Sequence, residues 1–232
     1  MLILGIDTST AATSVGLVAD AGALASAEHV DARHHAEVLP RLVRAVLDES
    51  GVGVDDLDMI GCGAGPGPFT GLRVGITFAR AMAQALQIPV VGVCSLDALA
   101  TEVADGTEMT ALVRVRRAEF AWASYDTEAR RTAGPLVSRD VELAPRGTTV
   151  GDDARFDIER RPSGAGVAAL VHSRLTAGEA IPTDREWPED PAEGDGAQTA
   201  DALTQLSSAG QVLLPALPLY LRRPDAVPTA QR

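Results

Sequence analysis

Cysteine is scarce in this chain: Cys62 and Cys94 are the only two in 232 residues. Both lie in apolar, strand-like stretches, and neither belongs to a CxxC or Cys/His spacing. That excludes a disulfide framework and a thiolate metal site, and predicts a reduced, cytoplasmic protein. Aromatic residues are few as well, 3% against 46% hydrophobic, so the core has to be aliphatic and alanine-rich. Basic residues are outnumbered, 20 against 32 acidic, for a formal net charge of −12. This argues against free-standing binding to nucleic acid, which needs a basic footprint. Work on nucleic acid inside a complex stays open. No apolar run approaches the length of a membrane span. The stretch Met1-Leu2-Ile3-Leu4-Gly5-Ile6 has no basic region and meets Asp7 too early for a signal peptide.

What the chain does have is a clear alternation of elements. Leu2–Ile6, Thr13–Val18 and Leu24–Val30 read as strands of an antiparallel meander, turned around Asp20-Ala21-Gly22. Val38, Leu39, Leu42, Val43, Val46 and Leu47 recur at helical spacing between Ala36 and Ser50, and Gly51 stops the helix. A strand over Leu57–Cys62, a helix over Thr70–Gln87, a strand over Pro89–Val93 and a helix capped by Ser95 and running to Val103 follow. The order predicts an α/β fold with a mixed sheet flanked by helices. A composition break at Asp105-Gly106 divides an N-terminal lobe, 1–105, from a C-terminal lobe, 106–232. In the second lobe Met109–Val115 and Glu119–Tyr125 predict a hairpin, with weaker strands at Leu136–Ser138 and Thr148–Val150 and a helix over Gly166–Leu175. The acidic, Pro- and Gly-rich stretch 183–196 predicts a mobile loop, Asp201–Ser208 a short helix, and Pro218–Pro224 an extended segment.

Two motifs carry chemistry. The stretch Gly61 to Gly75 packs six glycines and two prolines between a strand and a helix. Such a loop makes either an anion cradle or a contact surface. In Gly5-Ile6-Asp7-Thr8-Ser9-Thr10, a carboxylate and three hydroxyls follow a buried strand. Asp7, Thr8, Ser9 and Thr10 are candidate nucleotide-binding residues; the ordinary alternative is a hydroxyl-rich turn between strands. In the helix after the glycine loop, Arg73, Thr77, Arg80, Gln84 and Gln87 form one narrow polar stripe. Its other positions are apolar or small, which fits either a core helix or one buried on two sides. Arg114, Arg116 and Arg117 form the one dense basic cluster, with Arg114 and Arg116 on one strand face. His34 and His35 are adjacent and cannot share a helical face as metal ligands, and no Ser/His/Asp set stands out.

Gly5-Ile6-Asp7-Thr8-Ser9, the loop Gly65-Pro66-Gly67-Pro68-Phe69-Thr70-Gly71-Leu72-Arg73-Val74-Gly75 and the tail Pro218-Leu219-Tyr220-Leu221-Arg222-Arg223-Pro224 occur in this order. Together they resemble the bacterial TsaB (YeaZ) family, over the first hundred residues and the tail. The resemblance implies a two-lobed actin-like ATPase (ASKHA) fold. It implies a non-catalytic accessory subunit in threonylcarbamoyladenosine modification of the adenosine 3′ to the anticodon in tRNAs reading ANN codons. The implied partners are a TsaD-type catalytic subunit, a TsaE-type ATPase, and a second copy of the chain when the catalytic subunit is absent. Transfer RNA is reached only through the complex, no cofactor belongs to the chain itself, and ATP enters with the complex. Where the catalytic relative carries two metal-binding histidines, this chain has Ser95 and Leu99, which cannot act as imidazole ligands. Where the family has Asp-Ala-Arg-Arg before a Glu, Arg114 stands in place of the aspartate. The family pairs through the helices of its first lobe, so Val38, Leu42, Val46, Gly67, Phe69, Thr70, Gly71, Arg73, Ala81 and Ala85 are the expected interface. The rival reading is an independent small-molecule kinase or ATPase built on Asp7 and the glycine loop; a third is a scaffold with no nucleotide involvement.

Overall fold

The computed structural model describes residues 1–139, 143–182 and 212–221. The expected acidic loop, the helix at 201–208 and the tail beyond Leu221 lie outside the described residues. Strands β1 (Ile3–Asp7), β2 (Ala12–Ala19) and β3 (Gly22–Val30) form the expected meander. Then come helix α1 (His35–Ser50), strand β4 (Met59–Gly63), helix α2 (Phe69–Leu86), strand β5 (Val90–Val93) and helix α3 (Ser95–Val103). The second half supplies β6 (Met109–Arg116), β7 (Glu119–Tyr125), β8 (Arg131–Arg139), β9 (Thr148–Gly151), β10 (Ile158–Glu159) and helix α4 (Gly164–Thr176).

The two halves repeat one topology. The first sheet has the order β3-β2-β1-β4-β5 and the second β8-β7-β6-β9-β10, read from the matching edge. In each, three antiparallel strands are followed by two parallel ones. Two mixed sheets of one design, flanked by helices, are the two-lobed actin-like ATPase fold.

Strand alternation sorts the first sheet into two faces. Leu4, Ile6, Val15, Leu17, Ile60 and Cys62 point to α1 and α2, where they meet Leu39, Val43, Val46, Leu72 and Ile76. Ile3, Val18, Met59, Val91 and Val93 point the other way and meet Val167, Ala168, Leu170 and Val171 of α4. Helix α4, from the second half of the chain, therefore packs on the first sheet. Ser163 caps α4, its hydroxyl accepting from Gly166 N, and the helix starts two residues before its expected first residue. Helix α3 and the second sheet share the remaining core, built from Leu96, Leu99, Met109, Val113, Ala121 and Val150 among others. A buried ion pair locks them together: Arg131 Nε lies 3.2 Å from Asp97 Oδ1, which also accepts from the Tyr125 hydroxyl at 2.8 Å.

Residues 212–221 return to the first sheet. Gly92 and Leu214 exchange backbone hydrogen bonds of 2.7 and 2.8 Å, and Leu219 N donates to Ala64 O at 2.7 Å. This strap seats Leu213, Leu214 and Ala216 in three different parts of the core.

Helix α4 reaches the first sheet so closely that a side chain on Gly16 has no room. A Cβ there would lie 2.4 Å from Ala165 N and 2.7 Å from its Cβ. Gly16→Ala should cost about 1–3 kcal/mol, as overpacked cores do. Thermal denaturation should show it as a fall in Tm of roughly 2–12 °C; an unchanged Tm would mean that α4 sits further from the sheet.

Candidate functional site: a helix pair and the turn beneath it

The turn after β1 is interior. Asp7, Thr8, Ser9 and Thr10 are 1%, 1%, 0% and 3% exposed. Asp7 Oδ1 accepts from Ser9 N at 2.8 Å and Ser9 Oγ at 2.6 Å, and Oδ2 accepts from Ser95 Oγ at 2.7 Å. The Ser95 hydroxyl in turn accepts from Gly65 N. Thr8 Oγ1 donates to Gly71 O at 2.8 Å, and Thr10 Oγ1 accepts from Ala12 N. Each of the four candidate nucleotide residues thus has its side-chain polar group engaged by the chain itself. Ser95 does not cap α3, because its hydroxyl is spent on Asp7; Cys94 occupies the cap position. Leu99 is fully buried in the core of the second lobe.

The glycine loop covers this turn. A Cβ on Gly67 would lie 2.1 Å from Ser9 O, one on Gly71 2.6 Å from Thr8 O, and one on Gly75 2.3 Å from Thr8 Oγ1. Three glycines four apart form one row of close approach along the start of α2. The two sequence motifs, read as separate sites, are the two halves of one contact. The four-residue spacing of these glycines is the sequence signal of that contact.

Beyond this row, α1 and α2 present an outer face. Leu72, Ile76, Ala79 and Ala83 of α2 turn inward, while Thr70, Arg73, Thr77, Ala81, Gln84 and Ala85 are exposed. Val74, Phe78 and Met82 are half-buried between them. The helix is core on one side and open on the other. Between the helices runs an open groove of about 650 Å³, lined by Ala36, Leu39, Phe69, Val74, Phe78 and Ala81, with Thr70, Arg73 and Thr77 at its rim. Among the expected interface residues, Val38, Leu42, Gly67 and Phe69 are half-buried, and Thr70, Arg73, Ala81 and Ala85 are exposed. Two are buried within the chain. Val46 is 0% exposed and packs into the core, because the inward stripe of α1 runs through Leu39, Val43 and Val46. Gly71 is buried against Thr8 and His35.

The strap meets this face. Tyr220 stacks on Phe69 with ring centroids 4.8 Å apart, and its hydroxyl accepts from Arg73 Nε at 2.9 Å. Arg73 Cζ lies 3.8 Å from the Phe69 centroid. Arg80 turns under the helix, where Nη1 donates to Ala216 O.

The other candidates have structural partners. The β6–β7 pairing shifts register between Arg114 and Arg116, so these two arginines do not share a regular strand face. Arg114 lies over Phe120 and pairs with Asp153; Arg116 and Arg117 are exposed at the hairpin end. His35 is buried, with Nδ1 2.7 Å from Thr13 Oγ1, and burial lowers its pKa. His34 sits at the surface beside Asp31, whose hydrogen bond raises its pKa. Burial pushes the thiols of Cys62 and Cys94 up to about 12, which makes both inert.

Burial also holds the Asp7 carboxyl above the usual carboxylate range, against the serine donors that favour its anion. A pKa raised on folding contributes stability below the unfolded pKa, and that contribution is lost as pH climbs through the folded pKa. Wild type should therefore lose stability at this site as pH rises above about 4. Asp7→Asn, uncharged and still an acceptor through its amide oxygen, should lack that slope. Asp7→Ala strands the donors of Ser9 and Ser95 and should cost about 2–4 kcal/mol. Thermal melts of the three forms from acid to neutral pH measure both effects; equal slopes in wild type and Asp7→Asn would refute the assignment.

The comparisons with known proteins agree with this geometry. A family model described as TsaD, tRNA N6-adenosine threonylcarbamoyltransferase, matches residues 27–146. An uncharacterized protein of Mycobacterium tuberculosis is 37% identical over 239 residues, covering 98% of this chain and 95% of its own length. The tRNA threonylcarbamoyladenosine biosynthesis protein TsaB of Escherichia coli is 35% identical over 131 residues, 55% of this chain and 56% of that protein. In three dimensions, YeaZ from Pseudomonas aeruginosa superposes with a TM-score of 0.65 at 30% identity, covering 76% of this chain and 93% of YeaZ. With the duplicated sheets, the glycine row and the strap in place, these matches settle the affiliation: the chain belongs to the TsaB/YeaZ family.

Proposed function

We propose that this protein is a non-catalytic accessory subunit in the synthesis of threonylcarbamoyladenosine on tRNA, acting through a TsaD-type catalytic subunit that docks on the α1–α2 face. Family membership supports the pathway. The observation that carries the docking is the open apolar groove between α1 and α2, bordered by the exposed Ala81. An apolar surface of this kind on a soluble subunit marks an interaction site. Helices presenting small residues let a partner helix approach closely.

In this reading the modified base is the adenosine 3′ to the anticodon in tRNAs reading ANN codons. A TsaE-type ATPase joins the pair and brings ATP with it. A second copy covers the groove when the catalytic subunit is missing. Transfer RNA is held by the assembly, since a net charge of −12 gives this chain little attraction for it. The engaged state of Asp7 supports an accessory role and weighs against a kinase or ATPase, which needs a carboxylate open to nucleotide or metal.

Ala81→Glu tests the reading. Ala81 is exposed in the subunit, so the variant should fold with an unchanged melting temperature. In the complex its charge is buried without a counter-ion, and affinity for the TsaD-type subunit should fall by about 30-fold or more. Modification of tRNA by the reconstituted complex should fall with it. A folded Ala81→Glu that binds and supports modification as wild type does would refute the proposal.

A further inference from the structure

The groove is apolar, yet among the described residues that line it Arg73 is charged and held in place. We infer that Arg73 is the specificity charge of the docking face, held by Phe69 and Tyr220 and presented to a carboxylate on the TsaD-type subunit. This rests on the docking reading above.

Of the two arginines on α2, Arg80 is turned beneath the helix toward Ala216 O. Arg73 is exposed and held on two sides. The Phe69 ring lies under its guanidinium at 3.8 Å, and the Tyr220 hydroxyl takes Nε–H at 2.9 Å. Among the described residues, Nη1 and Nη2 take no hydrogen-bond partner, and Arg73 is in no ion pair. Four of its five N–H donors are left in the fork geometry that matches a carboxylate. A flexible arginine loses rotamer freedom when it is captured by a partner. This one has lost it already within the subunit, so association costs less.

The surroundings select the anion. Phe69, Val74 and Phe78 line the groove beside Arg73, so the charge must arrive on an apolar surface. An Asp or Glu side chain on a partner helix satisfies that; a nucleic-acid backbone, which needs several cations in a row, does not. Arg73, the charged residue among the described ones that line the groove, also gives it a polarity that an all-apolar groove lacks, and with it a preferred register.

Tyr220 is then a positioning residue. It lies 147 residues from Arg73 in the chain and reaches it through the strap, which Leu219 N fastens to Ala64 O. Tyr220→Phe keeps the stack on Phe69 and that backbone anchor, and removes only the acceptor for Nε–H.

The test is titration of the purified TsaD-type subunit from the same organism into wild type, Arg73→Ala, Arg73→Lys, Tyr220→Phe, the Arg73→Ala/Tyr220→Phe double variant and Ala81→Glu. Each chain is melted separately to confirm folding, and self-association is measured alongside. Arg73→Ala should weaken binding about 10–100-fold. Arg73→Lys should rescue little of this, because an ammonium neither lies flat on Phe69 nor forms a fork. Tyr220→Phe should cost about 3–10-fold in the wild-type background and add nothing to Arg73→Ala, the mark of two residues acting as one. Arg73→Ala binding within about twofold of wild type, with Ala81→Glu defective, overturns the inference and leaves the docking face standing. Normal binding by Ala81→Glu overturns the face and the inference together. An equal loss from Tyr220→Phe in both backgrounds overturns its positioning role. Loss of self-association alone in Arg73→Ala assigns the charge to a contact between copies and overturns its assignment to the catalytic subunit.

Discussion

A carboxylate sealed from water organises the front of this molecule. Burying a charge is costly unless each lone pair finds a donor, and Asp7 draws its donors from two places. Ser9 comes from its own turn and Ser95 from the start of α3. Ser95 then takes Gly65 N, and its own N–H goes to Gly65 O. The end of β1, the entry to α3 and the head of the glycine loop become one hydrogen-bonded unit. The loop fixed there runs straight into α2, so the poses of Phe69 and Arg73 on the outer face inherit their position from a group in the interior. A residue type that signals nucleotide chemistry in an open turn serves here as internal mortar.

The two sheets share a strand order but are unequal in what covers them. The first has α1 and α2 on one face and α4 on the other; the second leans on α3 and on strap residues Leu214 and Leu219. Close approach replaces bulk throughout. Glycines 67, 71 and 75 let α2 lie on the Thr8–Ser9 turn, and Gly16 admits α4. A chain with 3% aromatic residues fills its interior by bringing backbones together, and this makes small residues the ones it can least exchange. The few aromatics are concentrated where a rigid flat surface is needed. Phe69 with Tyr220 and Phe120 with Phe156 each carry an arginine guanidinium.

The sequence was most readable where a local period reports a burial pattern. The β1–β2 alternation, the 3.6-residue stripes of α1 and α2 and the order of the first eight elements all follow from it, as does the fold class. It was least readable where distant segments decide. Only Leu136–Ser138 of the nine-residue β8 was expected, because the rest of the strand is defined by its pairing with β7 across a register shift between Ala133 and Leu136. Strand β10 is two residues long and carries no period. Val46 sits in the same apolar run as Val38 and Leu42, and only the placement of β2 says which of them turns inward. The turn at Asp7 reads as open because the glycines that cover it lie some sixty residues later. The pairing of Arg73 with Tyr220 has no local trace at all.

That last separation has a consequence in time. During synthesis α2 is complete once Leu86 has emerged, but Tyr220 follows 134 positions later, counting from 86 to 220. At about 5–20 residues per second of synthesis this is an interval of roughly 7–27 s. Through that interval the nascent chain carries Phe69 and Arg73 without the phenol that stacks on the one and accepts from the other. The pose of Arg73 is thus one of the last features of the outer face to be fixed.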